Sequence, residues 1–249
     1  MNVSGKFESN TALILWANSA RMIAVFTLVL AAVPAMQLDD LRLMYAPLMG
    51  DELSADGQRR YLDSNVGSIT TDDLSFNSGT HDRFGLAYRR SERELAAGIG
   101  SFTWGLELGR DRVRLHEGRT ELAIEAWMVD VFLGWSWKVW PGWHIEQGIL
   151  VGIGRSRWDL SHPNFYLDGS AWDSAAVGFA SEYGLALAVS YTVSEHLQFG
   201  VDLRHTITSS EATLTGDHDS GGGNSETVSW RASSEAKGPG ISTWIGYRF

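Results

Sequence analysis

Ile241-Ser242-Thr243-Trp244-Ile245-Gly246-Tyr247-Arg248-Phe249 closes the chain and decides how the rest is read. Ile241, Ile245, Tyr247 and Phe249 fall on one face at period 2, with Thr243 among them, while Ser242, Gly246 and Arg248 fall on the other; only Trp244 breaks the alternation. Successive side chains of a strand point to opposite faces, so the segment reads as a strand with one apolar and one polar side.

The same alternation fills the preceding two hundred residues, and helical periodicity is scarce. Leu41, Leu43 and Tyr45 alternate with Arg42 and Met44, and Phe84, Leu86 and Tyr88 with Gly85, Ala87 and Arg89. Similar runs follow over Phe102–Leu108, Trp127–Lys138, Ile145–Gly154, Glu182–Tyr191 and Leu197–Arg204, which with the last segment makes eight strands. Connections alternate in length: 49–81, 109–119, 155–173 and 209–226 read as long polar loops, while 91–94, Trp140-Pro141-Gly142 and 193–196 are short. That rhythm is expected of a membrane barrel with short periplasmic turns and longer outer loops.

Composition narrows the function. The 249 residues suffice for one barrel, and a formal charge of −10 argues against a nucleic-acid partner. With no cysteine, disulfides, zinc-thiolate sites and thiol nucleophiles are excluded. Near the start, Arg21 precedes an apolar run of about 14 residues ending in Val33-Pro34-Ala35. It is short of the ~20 residues a helix needs to span a bilayer. The segment 1–35 therefore reads as a secretory signal, with cleavage after Ala35, 36–249 as the barrel, and Met1 or Met22 as the start.

A strand ending in an aromatic-x-Phe tripeptide, here Tyr247-Arg248-Phe249, resembles the closing strand of small bacterial outer-membrane β-barrels of the OmpA, OmpX, OmpW and Opa type. The resemblance implies an all-β, eight-stranded antiparallel up-and-down transmembrane barrel in the outer membrane. It also implies Tyr247 and Phe249 as an assembly signal for the outer-membrane assembly machinery, and lipid and lipopolysaccharide as surroundings. A monomer without cofactor or metal is expected. Members of that superfamily stabilise the envelope, adhere to surfaces or pass small molecules.

In this reading the apolar face meets lipid and the face rich in small residues lines a narrow lumen. Trp135, Trp137, Trp140, Trp143 and Tyr191 then form an aromatic girdle. Arg42, Arg89, Glu107, Asp130, Lys138, Glu146, Glu182, Asp202, Arg204 and Arg248 project inward. Buried charges of both signs must pair, so a plug with no wide channel is expected.

Candidates for chemistry are few. No G-x-S-x-G, H-E-x-x-H or phosphate-loop pattern occurs, and Asp217-His218-Asp219-Ser220-Gly221 lacks the further acids of a calcium loop. Outer-membrane lipid A deacylases carry a lipid-facing histidine with a serine two residues on. His205 has the phase, but Ile207 stands at the serine position, and Thr208 and Ser209 do not restore the spacing. No catalytic residue is expected, with a deacylase-like lipid A hydrolase as the alternative and a soluble lipocalin-like binder as the third reading.

Overall fold

The computed structural model describes residues 40–48, 52–63, 68–91, 100–162, 172–221 and 224–248. The signal-segment reading, the connection at 92–99 and Phe249 lie outside the described residues. The strands are β1 (Asp40–Leu48), β2 (Glu52–Asp63), β3 (Ser68–Phe76), β4 (Gly79–Ser91) and β5 (Ser101–Glu117), then β6 (Thr120–Trp140), β7 (Trp143–His162), β8 (Trp172–Thr192), β9 (Leu197–Gly221) and β10 (Asn224–Tyr247). All pairings are antiparallel.

Eight strands close a ring in the order β1-β4-β5-β6-β7-β8-β9-β10, sealed by β1 against β10. The expected eight-stranded up-and-down barrel is present, and closure pairs every strand of this ring on both sides, while β3 pairs with β2 alone. At one end, the turn end, Trp140 pairs with Trp143 across Pro141-Gly142, and Thr192 N–H donates to the Gly142 carbonyl at 2.8 Å. Gly142 has φ of 81°, a left-handed value that glycine adopts without strain, following a proline that presets the turn. The opposite, tall end carries the β5–β6 turn at Gly118-Arg119.

The tall end corrects the loop expectation. Residues 52–63 and 68–76, expected inside a long polar loop, are β2 and β3. β2 continues β1 along β10, from the pair Leu48↔Gly240 to the pair Glu52↔Lys237, and β3 pairs with β2. Much of 109–119 and 209–226 is likewise strand, as β5 reaches Glu117, β9 reaches Gly221 and β10 begins at Asn224. β9 and β10 hold 25 and 24 residues. About 9–11 residues cross a membrane, so the wall continues well past any bilayer.

The physical reason is a reversal of polarity at constant phase. On β6 the outward residues run Glu121, Ala123, Glu125, then Trp127, Val129, Val131, Leu133, Trp135, while the inward set runs Leu122, Ile124, Ala126, Met128, then Asp130. Toward the tall end the strand is polar outside and apolar inside, as in a barrel standing in water. Toward the turn end it is apolar outside and charged inside. The polar outer set at 109–119 and 209–226 has the composition of a loop, and the inward Val113, Leu115, Leu214, Val228 and Trp230 hold these segments in the wall.

Candidate functional site: the exterior band and the filled lumen

The exterior of the turn-end half is a continuous apolar belt. Leu43, Val131, Leu133, Ile149, Val151, Leu185, Leu187, Val201, Leu203 and Ile241 all face outward and exposed. Residues of this kind, exposed on β1 and on β6 to β10 and continued by the half-buried Leu86 of β4 and Leu106 and Leu108 of β5, suit hydrocarbon and not water. The lipocalin-like alternative needs the reverse arrangement, apolar inside and polar outside, over the whole barrel; this half does not supply it.

Two aromatic zones bound the belt. At the turn end, Trp135, Trp140, Trp143 and Tyr191 are exposed and Trp137 is half-buried. Trp135 meets Phe102 edge-on at 5.5 Å, and Trp143 packs on Tyr191 at 5.0 Å between ring centroids. Tyr247 stacks on His196 at 5.5 Å, and Arg248 is joined to the same histidine through its backbone, N–H to the His196 carbonyl at 2.9 Å and carbonyl to Nδ1 at 3.0 Å. Toward the tall end, Tyr45, Phe84, Trp127 and Phe179 form a second zone that the sequence reading did not assign. Its signal was present: outward runs pass from apolar through Phe84 or Trp127 to Asp82 or Glu125.

The lumen is filled in two storeys. The first, beside the belt, is ionic. Arg42 donates to Asp40 at 2.7 Å and holds Glu146 with both terminal nitrogens, at 3.0 and 3.1 Å. Glu146 also accepts from Arg89 at 3.4 Å, and Arg89 pairs with Glu107. Arg204 donates to Glu107 at 2.7 and 3.1 Å and to Asp202 at 2.7 Å, and Asp202 accepts from Trp244 Nε1 at 2.7 Å. One chain of ion pairs thus crosses the lumen from β1 to β9. Two guanidinium groups also lie over rings, Arg42 over Trp244 at 4.2 Å and Arg89 over Phe132 at 4.1 Å.

A second ionic cluster centres on Arg83, which pairs with Asp130 and donates to Glu182 at 2.6 Å. Thr208 donates to Glu182 at 3.0 Å, and Asp111 lies 3.8 Å from Arg83 and 3.5 Å from His81 Nε2. Glycine makes room here: a Cβ on Gly109 would stand 2.7 Å from Arg83 Nε, and one on Gly152 would strike Asp130. The small inward residues of the sequence are thus the space into which the charges fold.

Of the ten charged residues expected inside, the structure brings eight together: Arg42, Arg89, Glu107, Asp130, Glu146, Glu182, Asp202 and Arg204, all buried. Lys138 is exposed and Arg248 half-buried, both at the turn end. The lumen phase carries them, but the strands end there and their charges meet the mouth. Sequence reasoning missed Asp40, His81, Arg83 and Asp111. Arg83 shares the phase of Gly85, Ala87 and Arg89, yet stands one residue outside the run that was read as strand.

The second storey, toward the tall end, is apolar. Leu53, Phe76, Val113, Leu115, Leu122, Ile124, Trp158, Leu160, Leu214, Val228 and Trp230 form one buried cluster with five further residues. Trp230 packs against Trp158 edge-on at 6.3 Å and against Phe76 at 5.8 Å. Trp158 Nε1 donates to Ser156 Oγ at 3.0 Å.

His205 points outward from β9, exposed, between Leu203 and Ile207, with Leu185 and Pro239 as its cross-strand neighbours. None of those four is a nucleophile or a base. Among the described residues no cluster of metal-ligating side chains occurs.

No family model and no curated protein matches the chain. Among solved structures it is similar to Neisserial surface protein A (15% identity, covering 83% of this chain and 97% of that one, TM-score 0.29). It is also similar to the outer membrane protein OprG from Pseudomonas aeruginosa (12%, covering 86% and 97%, TM-score 0.38). A third is the attachment invasion locus protein Ail of Yersinia pestis (10%, covering 80% and 99%, TM-score 0.29).

Proposed function

For this transmembrane β-barrel of the bacterial outer-membrane kind, we propose a non-conducting, non-enzymatic role in which the membrane half is an anchor and the tall wall is a rigid surface for interaction outside the cell. The single observation that carries the reading is the doubly filled lumen. A solute entering from the tall end would have to separate Trp158, Trp230 and Phe76, then break the ion pairs of Arg83 with Glu182, of Arg204 and Arg89 with Glu107, and of Arg42 with Glu146. Pulling one partner from a buried pair costs about 3–5 kcal/mol, and the network contains many.

The raised wall supports the interaction half of the proposal. β2, β3 and the far parts of β9 and β10 project polar side chains such as Asp56, Gln58, Arg60, Glu211, Thr213 and Arg231 outward, on strands held by the apolar storey within. Rigid strands present a surface at smaller ordering cost than free loops. In this role the chain works as a monomer, since one copy closes the ring. It is inserted by the outer-membrane assembly machinery, for which Tyr247 and Phe249 are the signal. The lipid A hydrolase reading lacks support, because Ile207 stands where a serine is needed beside His205.

Planar-bilayer recording tests the reading. The purified barrel should give no steady conductance across a range of voltages, and a large, persistent open state would overturn it in favour of transport.

A further inference from the structure

On β5 and β7 the passage from the apolar belt to the tall wall is made by arginine. The outward residues of β5 run Leu106, Leu108, Arg110, Arg112, Arg114, and those of β7 run Val151, Ile153, Arg155, Arg157, Asp159. The register sets them side by side. Phe84, Arg110, Trp127, Arg155 and Phe179 are successive cross-strand partners from β4 to β8, so aromatic and guanidinium groups alternate along one row. The row beneath is apolar, with Leu86, Leu108, Val129 and Ile153. The row above alternates acid and base through Asp82, Arg112, Glu125 and Arg157.

Only part of this charge is used within the chain. Arg110 holds Glu125 at 2.6 Å, with its guanidinium 5.8 Å from the Trp127 ring, and Arg157 holds Asp159 at 3.0 Å. Among the described residues, no ion pair within 4 Å holds Arg112, Arg114 or Arg155. Five arginines face Asp82, Glu121, Glu125 and Asp159 here, in a chain of net charge −10. The row ends on β9 at Glu211, the cross-strand partner of Phe179, and beyond it β10 carries Lys237 and Glu235 above the belt.

We propose that this arginine patch is a binding site for the phosphate groups of a phosphorylated glycolipid in the outer leaflet of the membrane. It extends the reading above and rests on the same orientation, with the tall end outside. The depth is right for a headgroup: Arg110 and Arg155 follow the last apolar outward residue of their strands, where stems can lie along the belt, and Arg112, Arg157 and Arg114 rise above them. The chemistry is right for phosphate, which a guanidinium binds through two parallel hydrogen bonds, and the half-dry interface strengthens each pair. Trp127, Phe84 and Phe179 offer flat faces at the interface between acyl chains and sugar. Arg112, Arg114 and Arg155 can take phosphate without breaking an ion pair within 4 Å; Arg112 stands between Asp82 and Glu125, and Arg114 and Arg155 have neutral cross-strand neighbours.

The test uses the complete barrel refolded into phosphatidylcholine vesicles that contain bisphosphorylated lipid A, and counts retained lipid by native mass spectrometry after mild detergent extraction. Wild type should retain lipid A. Arg112→Gln/Arg114→Gln/Arg155→Gln should lose at least about tenfold in apparent affinity, a change of about 1.4 kcal/mol, because charge-assisted hydrogen bonds to phosphate are lost. Lys237→Gln on the far flank should retain it as wild type does. A heat-modifiable gel shift shows that the triple variant is folded, as expected when no internal ion pair is lost. Equal retention by the triple variant would overturn the proposal. So would equal retention of dephosphorylated lipid A or of phosphatidylglycerol, or complete displacement by millimolar inorganic phosphate. A thiol reagent applied to intact cells should label Arg119→Cys. Labelling only after lysis would invert the barrel, a failure of orientation that the lipid count alone would not produce.

Discussion

Arg204→Met should be among the most damaging substitutions in the barrel. Arg204 supplies three hydrogen bonds to two carboxylates, at 2.7 and 3.1 Å to Glu107 and 2.7 Å to Asp202. The side chains of Arg204, Glu107 and Asp202 are 3%, 0% and 3% exposed. Methionine fills much of the same volume but leaves Glu107 with Arg89, and Asp202 with the Trp244 indole. Removing one partner of a buried pair costs about 3–5 kcal/mol, because the abandoned charge keeps its desolvation penalty. The loss should appear as a lower urea midpoint for folding in lipid vesicles, followed by tryptophan fluorescence and by gel mobility. Lys138→Met, which alters an exposed charge of the same phase, should stay within about 0.5 kcal/mol. Adding Asp202→Asn should recover part of the loss, since the amide oxygen can still accept from Trp244 while the orphaned charge is gone. The reasoning fails if Arg204→Met costs no more than Lys138→Met, or if Asp202→Asn simply adds its own loss to the double variant.

Three other outcomes are expected. Leu187→Arg, on an outward position 44% exposed within the belt, should cost about 2–4 kcal/mol in vesicles. Ala186→Ser next to it in the lumen should cost far less, and equal effects would mean that the faces are reversed. At the far rim of the belt, the Arg110 guanidinium hydrogen-bonded to Glu125 holds that carboxyl below its ordinary value of 4.5. A depressed carboxyl contributes stability above its unfolded pKa and loses it as pH falls through the folded one, so Trp127 emission should be flat near neutrality and change only below the ordinary carboxyl value; a transition near pH 6 would contradict the pair. His205→Ala should leave lipid A acylation in cells unchanged, and acyl loss that depends on His205 would make the hydrolase reading correct.

The membrane half was legible because the two faces of each strand have sharply different chemistry there. Leu185, Leu187 and Val189 against Gly184, Ala186 and Ala188 can be sorted without a structure, and closure of the ring follows because lipid leaves no unpaired backbone edge tolerable. The inward charges were legible for the same reason. Arg42, Glu107 or Arg204 on the small-residue face of a strand has no solvent to face, so it must find a counter-charge. Which counter-charge it finds was not legible. Arg42 reaches Glu146, 104 residues away, because tilt and register bring β1 and β7 across the lumen, and no local pattern encodes either quantity.

The tall half was missed for a different reason, and that reason bears on function. Its alternation is the mirror image of the membrane half. Glu121, Ala123 and Glu125 outside with Leu122 and Ile124 inside is as periodic as Val129, Val131 and Leu133 outside with Asp130 inside. One unbroken strand therefore crosses two solvents, and the chemistry of each face changes sign where it leaves the lipid. The interior follows suit: ion pairs fill the lumen where apolar residues are needed outside, and apolar packing fills it where the outside can be polar. Two unlike plugs are thus a consequence of one wall in two media. Opening a path would require both storeys to yield together, although they respond to different perturbations. Loss of a charge loosens the first, and loss of ring volume at Trp158 or Trp230 the second. A gated channel has little use for such redundancy, whereas a fixed platform needs its wall held at both levels.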